Sequence, residues 1–146
     1  MNCVSESEAN VSWLNSKGIW ITYILIIVFI HFTLLCIVSI PVAWTLTTVL
    51  HSITSYLVLH YVKGTPFVEV EPGASSRLTH WEQMDEKYSQ TKKFLCAVPT
   101  VLFILASFYT SYNFYHFIWN FLALLVALIP KLPELHRFRL WKINKY

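Results

Sequence analysis

Charged residues divide the chain into two long apolar stretches separated and flanked by polar segments. No Asp, Glu, Lys or Arg occurs in residues 18–62 or 94–130. A bilayer core of about 30 Å takes about 20 helical residues at about 1.5 Å each, so each stretch is long enough for two spans. Pro41 divides the first stretch, and the second is predicted to turn within residues 110–115. The pattern predicts four spans over residues 19–38, 42–62, 94–111 and 113–130.

The composition agrees with a membrane location. Hydrophobic residues make up 55% of the chain and charged residues 13%, and the mean hydropathy is +0.50. A soluble domain carries about 25% charged residues, so this inventory cannot cover a water-exposed surface. We therefore expect an all-α integral membrane protein with one membrane domain, residues 18–146. Two re-entrant hairpins that do not cross the bilayer are the alternative architecture.

The placement of basic residues predicts the orientation of the spans. All eleven Lys and Arg residues fall in the N-terminal tail (1–17), the central loop (63–93) or the C-terminal tail (131–146). A four-span topology puts these three segments on one side, and basic residues collect on the cytosolic side of short-looped membrane proteins. Both termini are therefore expected in the cytosol. The net charge of +3 is too small to indicate a nucleic-acid partner.

The central loop contains a short amphipathic pattern. Four apolar residues recur at helical spacing, namely Leu78, Trp81, Met84 and Tyr88. Thr79 and Glu82 stand three apart as in a capping box. We predict a short interfacial helix lying on the membrane or on a partner, with His80 beside Trp81. The C-terminal tail mixes aromatic and cationic residues after Pro130, a composition that suits the headgroup region or an acidic protein surface.

The spans offer little chemistry. All eight carboxylates lie outside them, which argues against an ion-coupled transporter. Their histidines, His31, His51, His60 and His116, include no pair spaced to share one helical face as metal ligands. Neither a nucleophile elbow nor a glycine-rich phosphate loop occurs, and the three cysteines are expected to be packing residues. We expect no catalysis, no metal and no cofactor. We expect the Ser and Thr residues of the spans to bond between helices or back to the preceding turn. Because the second span has the most of them, we predict that it packs centrally or against a partner.

Several strings resemble the ORM/ORMDL family, in collinear order over about residues 10–146. They are Asn-Ser-Lys-Gly-Ile-Trp at 15–20, Trp-Thr-Leu-Thr at 44–47, Lys-Gly-Thr-Pro-Phe at 63–67, Leu-Thr-His-Trp-Glu-Gln-Met-Asp at 78–85, Ser-Phe-Tyr-Thr at 107–110, Ile-Pro-Lys-Leu-Pro at 129–133 and Ile-Asn-Lys-Tyr at 143–146. The eight-residue string in the central loop is the most specific of them.

The resemblance implies a multi-pass protein of the endoplasmic reticulum membrane with cytosolic termini. It further implies a non-catalytic regulatory subunit that inhibits serine palmitoyltransferase when ceramide is abundant, which gives negative feedback on sphingolipid synthesis. The implied partners are the transferase subunits, ceramide and membrane lipids. In that family the N-terminal tail obstructs substrate access to the transferase.

The resemblance also points to residues. In the family, an asparagine of an Asn-Pro-Asn string in the tail contacts ceramide; here residues 8–10 read Glu-Ala-Asn, so only Asn10 matches. We expect Asn10 to be the main ceramide contact and His80 a weaker one. The tail as far as Leu14 is expected to be a loose inhibitory element that orders when lipid binds, and its named residues are Met1, Asn2, Val11, Ser12 and Trp13.

Two other functions stay open from the sequence. One is a structural or assembly factor of the endoplasmic reticulum that affects protein folding or calcium handling without sensing lipid. The other is a small lipid-modifying membrane enzyme, which would need a reactive cluster that the sequence does not display.

Overall fold

The computed structural model describes residues 11–16, 18–62, 78–84 and 89–132, without the side chains of Ser12 and Asn15. Most of the predicted tail (Met1, Asn2 and Asn10 among it), Lys17, Tyr88, residues 63–77 and the chain from residue 133 onwards lie outside this description. Every regular element within it is a helix. The protein is an all-α membrane protein, as the sequence predicts.

The described chain contains five α-helices, two 3₁₀ turns and one π-helical turn. A 3₁₀ turn covers Ser12–Asn15, helix α1 covers Ile19–Leu35, and helix α2 covers Ile40–Tyr56 and continues as a π-helical turn over Leu57–Tyr61. Helix α3 is the single turn His80–Gln83, and helix α4 covers Ser89–Tyr109. Helix α5 covers Phe114–Leu128 and ends in a 3₁₀ turn at Ile129–Lys131.

Local chemistry accounts for the helix boundaries. Gly18 precedes α1 with a φ of +90°, a conformation that favours glycine because a Cβ would be strained there. Pro41 lies in the first turn of α2, where its missing N–H has no helical acceptor to lose. Between α4 and α5 the chain reverses through two residues with left-handed φ, Ser111 and Tyr112. The Asn113 side chain then accepts a hydrogen bond of 3.1 Å from the Tyr115 N–H, so the predicted turn position is confirmed.

Three helices are long and apolar enough to cross a bilayer, namely Ile40–Tyr61, Ser89–Tyr109 and Phe114–Lys131. Helix α1 is shorter, with 17 residues, or about 26 Å at the helical rise. It ends at Leu35 rather than near residue 38, because residues 36–39 form the reversal into α2. Helix α4 begins five residues earlier than predicted and includes Lys92 and Lys93, whose long side chains suit a membrane boundary.

Helix α2 is the centre of the bundle. It contacts α1, α4 and α5, while α4 and α5 also contact each other. Its buried face is small and polar, consisting of Ala43, Thr47, Thr48, Ser52 and Ser55. Small residues let helix backbones approach closely in a membrane, where apolar burial alone gives no preference between helix and lipid. The prediction that the second span packs centrally is confirmed.

Histidines and hydroxyl groups join the helices in pairs. His31 Nδ1 lies 2.9 Å from Thr47 Oγ1, His116 Nδ1 lies 2.9 Å from Thr45 Oγ1, and the Tyr23 hydroxyl lies 2.6 Å from His51 Nε2. Threonines also bond back to the carbonyl four residues earlier, as Thr48 does to Trp44 at 3.0 Å. Three of the four span histidines, His31, His51 and His116, therefore form helix–helix contacts. The described residues contain no group of three metal-ligating side chains.

One end of the bundle carries the N-terminal 3₁₀ turn, helix α3 and Lys131, and we call it the basic end. The reversals α1–α2 and α4–α5 lie at the other end. The candidate functional residues predicted from the sequence belong to segments at this basic end.

Candidate functional site

The described part of the N-terminal segment is packed into the basic end. Val11 is fully buried and Leu14 is 5% exposed. Both belong to one cluster of buried apolar side chains, made up of Val11, Leu14, Leu59, Trp81, Met84 and Leu95. We call this cluster the tail seat. It joins the N-terminal segment to the end of α2, to helix α3 and to the first turns of α4.

Hydrogen bonds hold the backbone of the segment in the same place. The Ser16 hydroxyl donates to the Trp13 carbonyl at 2.8 Å, and the Ser16 N–H donates to the same oxygen at 3.2 Å. The Thr91 hydroxyl, on α4, is 3.4 Å from the Leu14 carbonyl. Residues 11–16 are thus fixed by both side-chain packing and backbone contacts.

This packing changes the role of part of the predicted inhibitory tail. A loose segment was expected as far as Leu14, but Val11 and Leu14 are anchors because their side chains leave the solvent entirely or almost so. Trp13 differs, since it is 46% exposed and lies at the rim of a groove described below. Met1, Asn2, Asn10 and the Ser12 side chain lie outside the described residues, and Asn10 is bonded directly to the anchored Val11.

Helix α3 forms with the predicted capping box. The Thr79 N–H donates to Glu82 Oε2 at 2.9 Å, and the Glu82 N–H approaches Thr79 Oγ1 at 3.4 Å. The helix ends at Gln83, and Met84 is extended, so the helix is shorter than the spacing through Tyr88 suggested. Trp81 and Met84 are 7% and 2% exposed. Their apolar side chains pack into this protein's own tail seat rather than onto the bilayer surface.

His80 is buried at the same place. It is 7% exposed, and hydrogen bonds join it to the backbone of Val58 and Val62 at the π-helical turn. Burial lowers the pKa of His80 below its usual value, and the two backbone bonds act in the opposite direction. His80 Nδ1 is buried without a hydrogen-bond partner among the described residues. Because the other ring nitrogen donates to backbone carbonyls, the spare Nδ1 of the neutral imidazole can accept one further hydrogen bond.

A groove runs along the outside of the tail seat. It encloses about 170 Å³ between α1, α2, the start of α4 and the N-terminal turn. Its walls are apolar and aromatic, with Trp13, Ile19, Trp20 and Val58 among them. The polar groups inside are few, chiefly the Tyr23–His51 pair. We call it the lateral groove; an uncharged apolar lining of this kind suits a lipid chain better than a charged ligand.

A second groove lies between α1, α2 and α4 in the other half of the bundle. It encloses about 680 Å³ and is lined by apolar side chains together with His31, Trp44 and Tyr109. The Trp44 and Tyr109 rings are stacked with centroids 4.7 Å apart. The His31 nitrogen that faces Thr47 is hydrogen-bonded to its hydroxyl group, and the rest of the lining is apolar or aromatic apart from Thr47 itself. The described lining of this groove therefore contains no reactive cluster.

The sequence assigns Lys131 to the C-terminal tail, and the structure adds that its side chain is buried. Lys131 closes the 3₁₀ turn after α5 and is 6% exposed. The count of basic residues gave no sign of this burial. The available signal was its position directly after Pro130, in the turn that ends the helix.

Comparison with known proteins places these features in a wider context. The family model described as "ORMDL family" matches residues 8–139. ORM1-like protein 3 of Mus musculus is 49% identical over 146 residues, covering 97% of this chain and 95% of that protein. ORM1-like protein 2 of Homo sapiens is also 49% identical with the same coverage, and ORM1-like protein 1 of Bos taurus is 48% identical.

Proposed function

Because this chain belongs to the ORMDL family, we propose that it is a non-catalytic subunit that inhibits serine palmitoyltransferase when ceramide is abundant. It would act in the endoplasmic reticulum membrane with both termini in the cytosol. The observation that carries the proposal is the tail seat. It holds residues 11–16 beside the lateral groove, and in this proposal residues 1–10 act as an arm that begins at this fixed point.

The length of this arm fits an obstructing role. Ten residues span at most about 33–36 Å when extended. An arm that starts at the buried Val11 can therefore enter a cavity of an enzyme bound next to the basic end. A fixed starting point also lowers the entropy that the arm loses when it is inserted, because fewer backbone conformations have to be given up.

The lateral groove supplies the lipid-dependent part of the mechanism. One chain of ceramide would lie along its apolar wall, and the amide and hydroxyl groups would reach the basic end. Asn10 offers one donor and one acceptor, which matches a lipid amide with hydroxyls. Each CH₂ buried contributes about 0.8 kcal/mol, so a few buried methylenes supply the few kcal/mol needed to shift a two-state arm.

We expect Asn10→Ala to remove most of the ceramide response, because the methyl side chain can neither donate to nor accept from the lipid. Transferase activity is measured in membranes with and without added short-chain ceramide. Asn15→Ala in the same segment is the control for a general effect of losing an asparagine. Inhibition by Asn10→Ala equal to that of the wild type would rule out this contact.

His80→Ala is expected to weaken the ceramide response less than Asn10→Ala does. The imidazole is joined to the backbone of Val58, a wall residue of the lateral groove, and it has one unpartnered nitrogen. His80→Asn keeps a donor and an acceptor and is expected to retain more response than His80→Ala. Normal response and normal assembly in His80→Ala would remove this residue from the lipid site.

Co-purification separates this function from the assembly-factor alternative. A sensor subunit should bring down the transferase subunits in a stable ratio from mild detergent, and ceramide should change the activity of that complex. A chain that purifies without the transferase, or whose complex ignores ceramide, would favour an assembly role.

A further inference from the structure

One ammonium group at the basic end contacts three other segments of the chain. Lys131 Nζ donates to the Leu95 carbonyl on α4 at 2.8 Å and to Ser55 Oγ on α2 at 3.3 Å. It also lies 5.9 Å from the centre of the Trp81 ring, within the range of a cation–π contact. Lys131 itself belongs to the turn that ends α5.

The Leu95 carbonyl is available for this bond because of a proline. In an α-helix the carbonyl of residue 95 accepts from the N–H of residue 99. Residue 99 is Pro99, inside α4 and buried, and proline has no N–H to donate. A buried carbonyl without a donor is costly, and the Lys131 ammonium supplies the missing donor from another helix.

The same turn of α4 carries the tail seat. The Leu95 side chain is 4% exposed and packs in the cluster with Val11 and Leu14. One helical turn earlier, Thr91 reaches the Leu14 carbonyl. Trp81, the ring beneath the ammonium, is another member of the seat. Lys131 therefore contacts the backbone or the ring of two seat residues without touching the N-terminal segment.

We propose that Lys131 is a positioning residue that locks the tail seat by capping the carbonyl that Pro99 leaves open. The lock holds helix α3 and the first turns of α4 in the arrangement that receives Val11 and Leu14. Its consequence for regulation rests on the proposed function: a seat that opens releases the starting point of the inhibitory arm, and ceramide-dependent inhibition is lost although the subunits stay together.

The lock is tested on the full-length chain in lipid nanodiscs by hydrogen–deuterium exchange of the backbone amides of residues 11–16. Lys131→Met keeps the length of the side chain and removes the donor and the charge. We expect exchange in this segment to accelerate about tenfold, the effect of losing about one buried hydrogen bond. Lys93→Met, which removes an exposed lysine two residues before Leu95, should leave exchange unchanged.

The Pro99→Ala background tests whether Lys131 acts on the tail seat through the Leu95 carbonyl. Pro99→Ala restores an N–H within the helix, which satisfies the Leu95 carbonyl without Lys131. In this background Lys131→Met should accelerate exchange far less than in the wild type. No acceleration in Lys131→Met alone, or the same acceleration with and without Pro99, would overturn the lock.

Transferase assays then separate the two proposals. Lys131→Met is expected to co-purify with the transferase and to lose inhibition by added ceramide. If the wild-type complex ignored ceramide, the proposed function would fail, while the exchange data would still decide the lock. If Lys131→Met opened the seat yet inhibited fully, the regulatory role of the lock would be refuted.

Discussion

Deletion of residues 1–10 should free the transferase from ceramide feedback while the complex stays assembled. Only the proposed arm is lost, whereas Val11 and Leu14 remain to fill the tail seat, so the packing of the described helices should be unchanged. Transferase activity at saturating ceramide is expected to rise to the value measured without ceramide. Subunit ratios after purification from detergent are determined on the same preparation.

The control for this deletion keeps the length of the arm and changes its composition. In this control, a Gly/Ser sequence of equal length replaces residues 1–9, and Asn10 is retained. The variant should keep the distance that the arm can span but lose the contacts made by its native side chains. If the deletion variant restrained the transferase as fully as the intact protein, the inhibitory element would have to lie elsewhere in the chain.

Val11→Asp should detach the N-terminal segment from the bundle without shortening it. Val11 is fully buried and Leu14 is 5% exposed, and burying an aliphatic side chain of this kind stabilises by about 1.5–3 kcal/mol each. An unpaired carboxylate in the seat costs about 3–5 kcal/mol. Only the Leu14 contribution of about 1.5–3 kcal/mol then remains to hold the segment, and it is smaller than the cost of about 3–5 kcal/mol. The substituted segment should therefore be mostly unseated, with fast amide exchange in residues 11–16 and little ceramide response.

Gln90→Glu is the control for the added charge of Val11→Asp. It introduces the same charge outside the N-terminal segment, at an exposed position in the first turn of α4, where water continues to solvate the carboxylate. Exchange in residues 11–16 should then be close to that of the wild type. Equal effects of the two substitutions would mean that added negative charge, and not loss of the seat, disturbs the segment.

The positions of the apolar helices could largely be predicted from the sequence, because charged residues are costly in a bilayer. Each span had to avoid Asp, Glu, Lys and Arg, so the absence of these residues in 18–62 and 94–130 marked the apolar helices directly. The capping box of Thr79 and Glu82 was readable for a similar reason, since its residues bond to backbone groups three positions away. The family strings gave the functional expectation on which the proposed function rests.

The tail seat was harder to predict from the sequence. The spacing of Trp81 and Met84 gave an amphipathic pattern, but an apolar side chain can face lipid, a partner or its own protein, and the pattern is the same in each case. The packing of α3 against Leu59 and Leu95 decided in favour of the protein's own core. Val11 shows the same ambiguity, because one apolar residue in a polar tail gives no periodicity.

The sequence by itself determined which segments form apolar helices, where the chain turns between them, and which family motifs it carries, because these depend on the solvation of single residues and on bonds between near neighbours. Only the tertiary structure decided that residues 11–16 are anchored and that Lys131 is buried. The anchoring depends on Val11 and Leu14 packing against residues that are distant along the chain, such as Leu59 and Leu95. The burial of Lys131 depends on its contacts with Ser55 and Leu95, which are 76 and 36 residues away along the chain.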